Sequence, residues 1–339
     1  MQDRYSRQVL FSGIGEEGQA RLGSKHVLIV GAGALGSAGA EMLARAGVGR
    51  LTIIDRDYLE ESNLQRQQLY TEEDVLKKMP KAAAAKRHLA EINSGTIIEA
   101  HIMDAEPESL VPLLPGVDLI LDATDNFETR FVLNDLAHKY KIPWIFGACA
   151  GSFGMSYAFI PGKTPCLNCL LRSMPLAGMT CETAGVIAPA VSMTVSLQIA
   201  EAMKILTENW DAVRKTFMSF DVWSGEFHSI KTGRVKREDC LTCGTQAEYP
   251  FLKKENSTRT AVLCGRETVQ VRPPGVVTVD MDRLVKHFSA MGYEAKSNPY
   301  LISAQNGSER VIVFKDGRAL IHGTKDMAHA RSVYQRLMG

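Results

Sequence analysis

The stretch HVLIVGAGALG, residues 26–36, decides the fold. A short aliphatic run meets Gly31, Gly33 and Gly36 in the spacing G-x-G-x-x-G, and SAGAEMLARAG then continues with helix formers until Gly47 offers a stop. The pattern predicts strand, tight turn and helix, an arrangement whose backbone can approach phosphates and whose helix N–H groups point at them. The same glycines would also serve close packing of helix on strand with no ligand at all. Asp55, closing the next apolar run LTIID roughly 20 residues on, is the acid expected to take ribose hydroxyls, and it favours the nucleotide reading.

Outward from this unit, AAAAKRHLAEIN reads as a helix opened by Pro80 at its first turn. GVDLILDATDNFETRFVLNDLAHKY reads as a buried strand followed by a helix, and IPWIFGACAGSFGMSYAFI supplies two further strands. Strands alternating with helices predict a Rossmann-like α/β fold with a mostly parallel sheet, its ligands beyond the carboxyl ends of the strands. Asp55, Asp122 and Asp125 fall at such ends, and their hard oxygens suit Mg²⁺ on a nucleotide. Just after Asp55 come Ser62, Asn63, Gln65, Arg66 and Gln67. A dehydrogenase that binds only the two phosphates of NAD has no evident use for them.

Composition narrows the classes. The 339 residues are 45% hydrophobic and 23% charged, enough for one large domain and a small one, or two domains. A formal net charge of +1 without a basic block or cationic helical face points away from nucleic acid and from anionic membranes. No run approaches the roughly 18 apolar residues of a membrane span, and MQDRYSRQVLF is too charged for a signal peptide, so the cytoplasm is expected.

In a reducing compartment the seven cysteines are expected as ligands, nucleophiles or small buried residues. PCLNCL and EDCLTCG place Cys166-x-x-Cys169 and Cys240-x-x-Cys243, the ligand set of a closed, structural Cys₄ zinc site. A pair of redox dithiols is the competing reading, and it lacks a thioredoxin-like context. Between the knuckles, a segment with Pro175, Gly178 and Gly185 reads as a loop carrying Cys181, either a candidate nucleophile or an inert thiol, before a long apolar helix from about Ile187. Cys149 and Cys264 lie in apolar runs and read as small core residues.

RYSRQ, GAGALG, GVGRLTIID, SNLQRQ, MPKAAAAK, LDATDN, PCLNC, TCETAGVIAP and CLTCG together resemble, in order and spacing, the bacterial ubiquitin-activating-like adenylyltransferases of molybdopterin and thiamine-thiazole biosynthesis. The resemblance spans residues 1 to about 245. It implies the ubiquitin-activating-enzyme type of fold and adenylation, with ATP and Mg²⁺, of the C-terminal Gly-Gly carboxylate of a small ubiquitin-like sulfur-carrier protein. It further implies that Gly31, Gly33, Ala34 and Gly36 line the nucleotide, with Ala34 standing where many relatives carry glycine. Asp55 would hold ribose; Ser62, Asn63, Arg66 and Lys81 the phosphates; Asp125 the Mg²⁺, with Asn126 beside it. Arg7, a solvated helix charge when read alone, would reach the partner's site in a homodimer. Cys181 matches a loop cysteine that takes part in sulfur transfer in thiazole-type relatives and is dispensable in molybdopterin-type ones, and both readings stay open for this sequence, a cysteine desulfurase being one candidate donor. A non-catalytic scaffold subunit with the same fold, and an NAD-dependent oxidoreductase, are the alternatives.

Residues 1–249 are thus expected to form the ATP-binding adenylyltransferase domain with its zinc site, and 250–339 a small α+β domain of unassigned role. In the latter, AQNGSERVIVFKDGRALIHG places Asn306-Gly307 and Asp316-Gly317 between β-rich runs, predicting two tight hairpins in a three-stranded meander flanked by helices. No anion-cradling loop surrounds Cys264, which argues against a rhodanese-type domain.

Overall fold

The computed structural model describes residues 3–173, 184–253, 260–262, 267–273, 277–307 and 309–338. Cys181, most of the loop before the apolar helix, and Cys264 lie outside these residues. Two compact units divide the chain, Met1–Lys254 and Glu255–Gly339.

In the first unit, helices α1 (Ser6–Val9) and α2 (Gly15–Ser24) precede β1 (His26–Val30), α3 (Ala34–Ala46) and β2 (Arg50–Ile54). Then come α4 (Glu72–Leu76), α5 (Lys81–Ile92), β3 (Ile97–His101), α6 (Pro107–Leu110), β4 (Leu119–Asp122) and α7 (Phe127–Tyr140). The unit is completed by β5 (Trp144–Ala150), β6 (Phe153–Phe159), α8 (Leu167–Ser173), α9 (Ala188–Leu206), β7 (Thr216–Asp221) and β8 (Glu226–Lys231). Its eight strands run in the order β3-β2-β1-β4-β5-β6-β7-β8. The sheet is parallel from β3 to β5 and antiparallel from β5 to β8.

Strand β1 shows why its run is apolar throughout. Val27 and Ile29 enter one core with Leu43, Ala85, Val195 and Ile199, whereas Leu28 and Val30 enter a second with Leu133, Leu136 and Trp144. A strand covered on both faces cannot alternate with polar residues. The chain reverses strand order on crossing β1, so the open crevice of the sheet lies past the carboxyl ends of β1, β2 and β4. Pro80 stands at the N-cap of α5, one residue outside the helix.

Asp122 belongs to the frame. Its Oδ1 accepts from the Thr124 amide (2.9 Å) and hydroxyl (2.6 Å), and its Oδ2 from Arg130 Nε (3.0 Å). Arg130 also donates to the carbonyls of Thr124 (2.6 Å) and Gly147 (3.0 Å) and sits over the rings of Phe127 and Phe146. Asp122 is fully buried, so the expectation that it joins Asp55 and Asp125 around a cation is corrected: its oxygens are committed to the β4–α7 turn. Arg130→Met, which strands the buried carboxylate, is expected to cost about 3–5 kcal/mol of stability. A shift of the denaturant midpoint of the Met1–Lys254 unit measures it.

The second unit is α+β. Strands β9 (Thr260–Val262), β10 (Thr268–Val271), β11 (Glu294–Ser297), β12 (Leu301–Asn306), β13 (Glu309–Phe314) and β14 (Ala319–His322) form one sheet, with α10 (Met281–Ala290) and α11 (Met327–Met338). The sheet order is β11-β12-β13-β14-β10-β9, all antiparallel. The β12-β13-β14 meander stands where the hairpin signals place it, and Phe288, Ala330, Val333 and Leu337 of the helices pack on Val269, Ile302, Val313 and Ile321. No helix among the described residues is long and apolar enough to cross a membrane.

Candidate active site and metal centre

The crevice is built around the turn between β1 and α3. Gly31 has φ +98, and a Cβ there would lie 2.4 Å from the Ala123 carbonyl oxygen. A Cβ on Gly36 would lie 1.8 Å from the Gly31 carbonyl oxygen. These two glycines are therefore demanded by the fold itself. Gly33 differs. Its backbone, φ −76 and ψ −146, lies outside the helical and extended regions, and a Cβ there would meet nothing nearer than Gln67 Nε2 at 3.9 Å. The protein leaves this N-cap position of the 13-residue α3 bare for no packing reason, and no side chain caps the helix. A bare helix N-terminus is a place for an anion.

Asp55 fastens the turn from below. Its Oδ2 accepts from Ala32 N and its Oδ1 from Asp57 N, each at 2.6 Å. Burial pushes its carboxyl upward, with Lys81 and the two N–H groups opposing. Each oxygen keeps a further lone pair for a ligand hydroxyl. Lys81, 6% exposed, pairs with Asp57 through Nζ at 3.1 Å and through its backbone N–H at 2.9 Å. The Tyr70 hydroxyl donates to the carbonyls of Ala32 (2.6 Å) and Lys81 (3.2 Å), tying the glycine turn to the start of α5. Burial holds the Tyr70 phenol well above its ordinary range, so it remains a donor.

The Ser62–Gln67 segment begins on a 3-10 turn, Glu61–Asn63, and continues as an irregular turn. Asn63 is buried and its Oδ1 accepts from Glu60 N (3.2 Å), while Arg66 Nη1 donates to the Ser62 carbonyl (3.0 Å). Gln65 Nε2 reaches Val186 O at 3.5 Å. Past β4, Asp125 is exposed, and Asn126 caps α7 through Oδ1 (2.8 Å to Thr129 N) while its Nδ2 donates to Asp125 Oδ1 (3.3 Å). Arg7 is exposed on α1. Ala34 occupies the first helical position of α3, partly exposed.

Tyr70 and Arg56 escape a sequence reading, and Gln67 is marked there only as one of a polar segment. Tyr70 and Gln67 sit in a polar string where nothing local says which side chains turn inward. Arg56 follows Asp55 and ion-pairs with Asp104 (3.2 Å); burial opposes its charge, but Asp104, Asp57 and Asp125 raise its pKa above the ordinary arginine value. The only available signal was the excess of amides and arginines after Asp55, and it marks the segment without marking the residue.

The four knuckle cysteines form one cluster, all four Sγ atoms within 4.8 Å of one another. Cys166–Cys240 and Cys169–Cys243 stand 3.5 and 3.6 Å apart, too far for disulfides and close to the roughly 3.8 Å edge of a tetrahedron with 2.3 Å metal–sulfur bonds. A hydrogen bond from Cys166 lowers the Cys243 thiol to about 5, whereas burial pushes Cys169 up to about 12. The donor set fits a soft, tetrahedral cation. Helix α7 holds both knuckles: Asn134 Oδ1 accepts from Leu167 N (2.9 Å), and Asp135 accepts from Thr242 Oγ1 (2.6 Å) and Phe251 N (2.9 Å).

The family model described as the ThiF family matches residues 5–242. The chain belongs to the ThiF family. This ThiF-family chain is 48% identical over 339 residues, the whole of both chains, to the sulfur carrier protein ThiS adenylyltransferase of Bacillus subtilis. It is 36% identical to the molybdopterin-synthase adenylyltransferase of Salmonella typhimurium, over 71% of this chain and 96% of that one. Among solved structures, E. coli MccB with ATP superposes with a TM-score of 0.62 at 22% identity, covering 72% of this chain and 75% of the other, a likeness of fold. The four cysteines positioned for a metal and the mostly parallel sheet accord with that family.

Proposed function

We infer that this protein is an adenylyltransferase that uses ATP to activate the C-terminal Gly-Gly carboxylate of a small ubiquitin-like sulfur-carrier protein. The observation that carries this reading is the match to the B. subtilis ThiS adenylyltransferase along the whole of both chains, second unit included. That relative also favours a carrier of the thiamine-thiazole type over the molybdopterin type. In the reaction a carrier carboxylate oxygen attacks the α-phosphorus, the bond to the β-phosphate oxygen breaks, and pyrophosphate leaves behind an acyl-adenylate.

The arrangement of residues supports this chemistry. Gly33 and the N-terminus of α3, with Gly31, Ala34 and Gly36 around them, offer an anion cradle, and Asp55 offers an acceptor for ribose. Ser62, Asn63, Arg66 and Lys81 supply donors and positive charge for the triphosphate, where a second anion must approach. Asp125, exposed beside Asn126, would hold Mg²⁺, which neutralises phosphate charge when bound. Cys166, Cys169, Cys240 and Cys243 would hold a structural Zn²⁺. Arg7, exposed on α1, suits a site shared across a homodimer. Cys181 is proposed as a sulfur-transfer nucleophile downstream, supplied by a desulfurase-type donor, in the cytoplasm.

The test is ATP–pyrophosphate exchange with a carrier ending in Gly-Gly. Exchange that requires the carrier supports the enzyme. A protein that binds carrier yet exchanges nothing would be a scaffold, and one stabilised against heat by NAD but not by ATP–Mg²⁺ would be an oxidoreductase.

A further inference from the structure

Ala32, Asp55, Asp57, Lys81 and Tyr70 close a ring of hydrogen bonds. Ala32 N–H donates to Asp55 Oδ2 and Asp57 N–H to Asp55 Oδ1, each at 2.6 Å. Lys81 N–H donates to the Asp57 carbonyl (2.9 Å), and its Nζ to Asp57 Oδ2 (3.1 Å). The Tyr70 hydroxyl completes the circuit, donating to the carbonyls of Lys81 (3.2 Å) and Ala32 (2.6 Å). The ring thus joins the β1–α3 turn, the residues after β2, the first residue of α5 and Tyr70 ahead of α4. The aromatic ring of Tyr70 lies in the same core as Leu43 and Ala85, where a phenylalanine would fill the space as well, so packing does not account for the hydroxyl.

The ring sets directions as well as distances. No peptide bond among the described residues is cis, and in a trans peptide the carbonyl and the N–H point opposite ways. By holding the Ala32 carbonyl, Tyr70 therefore turns the Gly33 N–H away from itself, and among the described residues nothing accepts from that N–H. By holding the Lys81 carbonyl it also fixes the first turn of α5, from which the lysine side chain leaves. Resting on the reading that the crevice binds ATP, we propose that Tyr70 is a positioning residue for adenylation: its hydroxyl locks the Ala32–Gly33 peptide and the Lys81 main chain to each other, so that Asp55, the Gly33 N–H and the Lys81 charge meet one ATP molecule in register. It acts through those groups and touches no reacting atom.

Pyrophosphate exchange by the full-length protein, with ATP and the Gly-Gly carrier varied in turn, tests this in the wild type and in Tyr70→Phe, alongside melting curves. The KM for ATP is expected to rise about tenfold, roughly the net worth of one hydrogen bond, while the KM for carrier stays within about twofold. In a Lys81→Ala background the same substitution is expected to raise the ATP KM by a smaller factor, because one of the groups it positions is gone. Replacing Tyr70 by 4-aminophenylalanine, which keeps a donor at the same reach, is expected to return the ATP KM to near the wild-type value. Tyr70→His, with a ring N–H of shorter reach, serves if Tyr70→Phe does not fold, and the same rise is expected. An unchanged ATP KM in a folded variant overturns the inference, and so do equal factors in the two backgrounds. Both KM values rising together with a fall in melting temperature overturn it as well, since general loosening explains them. A wild type that exchanges nothing overturns the adenylyltransferase reading itself, whereas a wild type that exchanges and a variant that matches it remove only Tyr70.

Discussion

Arg66→Ala, Lys81→Ala and Asp125→Ala are each expected to slow carrier-dependent pyrophosphate exchange by roughly 10²-fold or more, about 2.7 kcal/mol of transition-state stabilisation apiece. The effect is large because negative charge accumulates on the transferring phosphoryl group as a carboxylate approaches, and these residues or the cation they hold offset it. Lys81 needs a control. Its Nζ is buried against Asp57, so Lys81→Ala also removes this ion pair, and Lys81→Arg with a melting curve separates lost charge from lost packing. Cys181→Ala has no part in attack on phosphorus and is expected to exchange near the wild-type rate while losing formation of carrier thiocarboxylate. Loss of exchange in that variant, with circular dichroism unchanged, would place the loop in the wrong step. Exchange near wild type in Arg66→Ala or Asp125→Ala would remove those side chains from the chemistry.

Cys240→Ser is expected to have a large effect on stability. The protein purified under reducing conditions should contain about one zinc per chain, and the variant should lose most of it and melt about 10 °C lower. Exchange per folded molecule at low temperature should change far less than melting does. The reason is the position of the cluster: it staples Cys240 and Cys243 to Cys166 and Cys169, and through Asn134 and Asp135 both knuckles close on the flank of α7. Metal analysis that finds no zinc in the folded wild type would refute the assignment, and a chelator that abolishes exchange without lowering the melting temperature would make the metal catalytic.

The sequence alone determined the strand–turn–helix at Gly31, the alternation of strands and helices in much of the first unit, the pairing of the two cysteine knuckles, and the meander at Asn306-Gly307 and Asp316-Gly317. All of these are written in local periodicity or in motif spacing, which a one-dimensional reading can see. It could not tell Asp122 from Asp125. Both stand at the end of β4, three residues apart, and only the packing of Arg130 against Phe127, Phe146 and the Asp122 carboxylate turns one inward and leaves the other in the open. The same holds for β10, which is four residues long and pairs with β14 far along the chain, Thr268 with His322 and Val271 with Ala319. Gln67 and Tyr70 are decided in the same way. Within a polar segment every side chain looks ready for solvent, and which of them turns under Gly33 or reaches the Ala32 carbonyl is fixed by contacts between residues more than thirty positions apart, whose energies no local pattern carries.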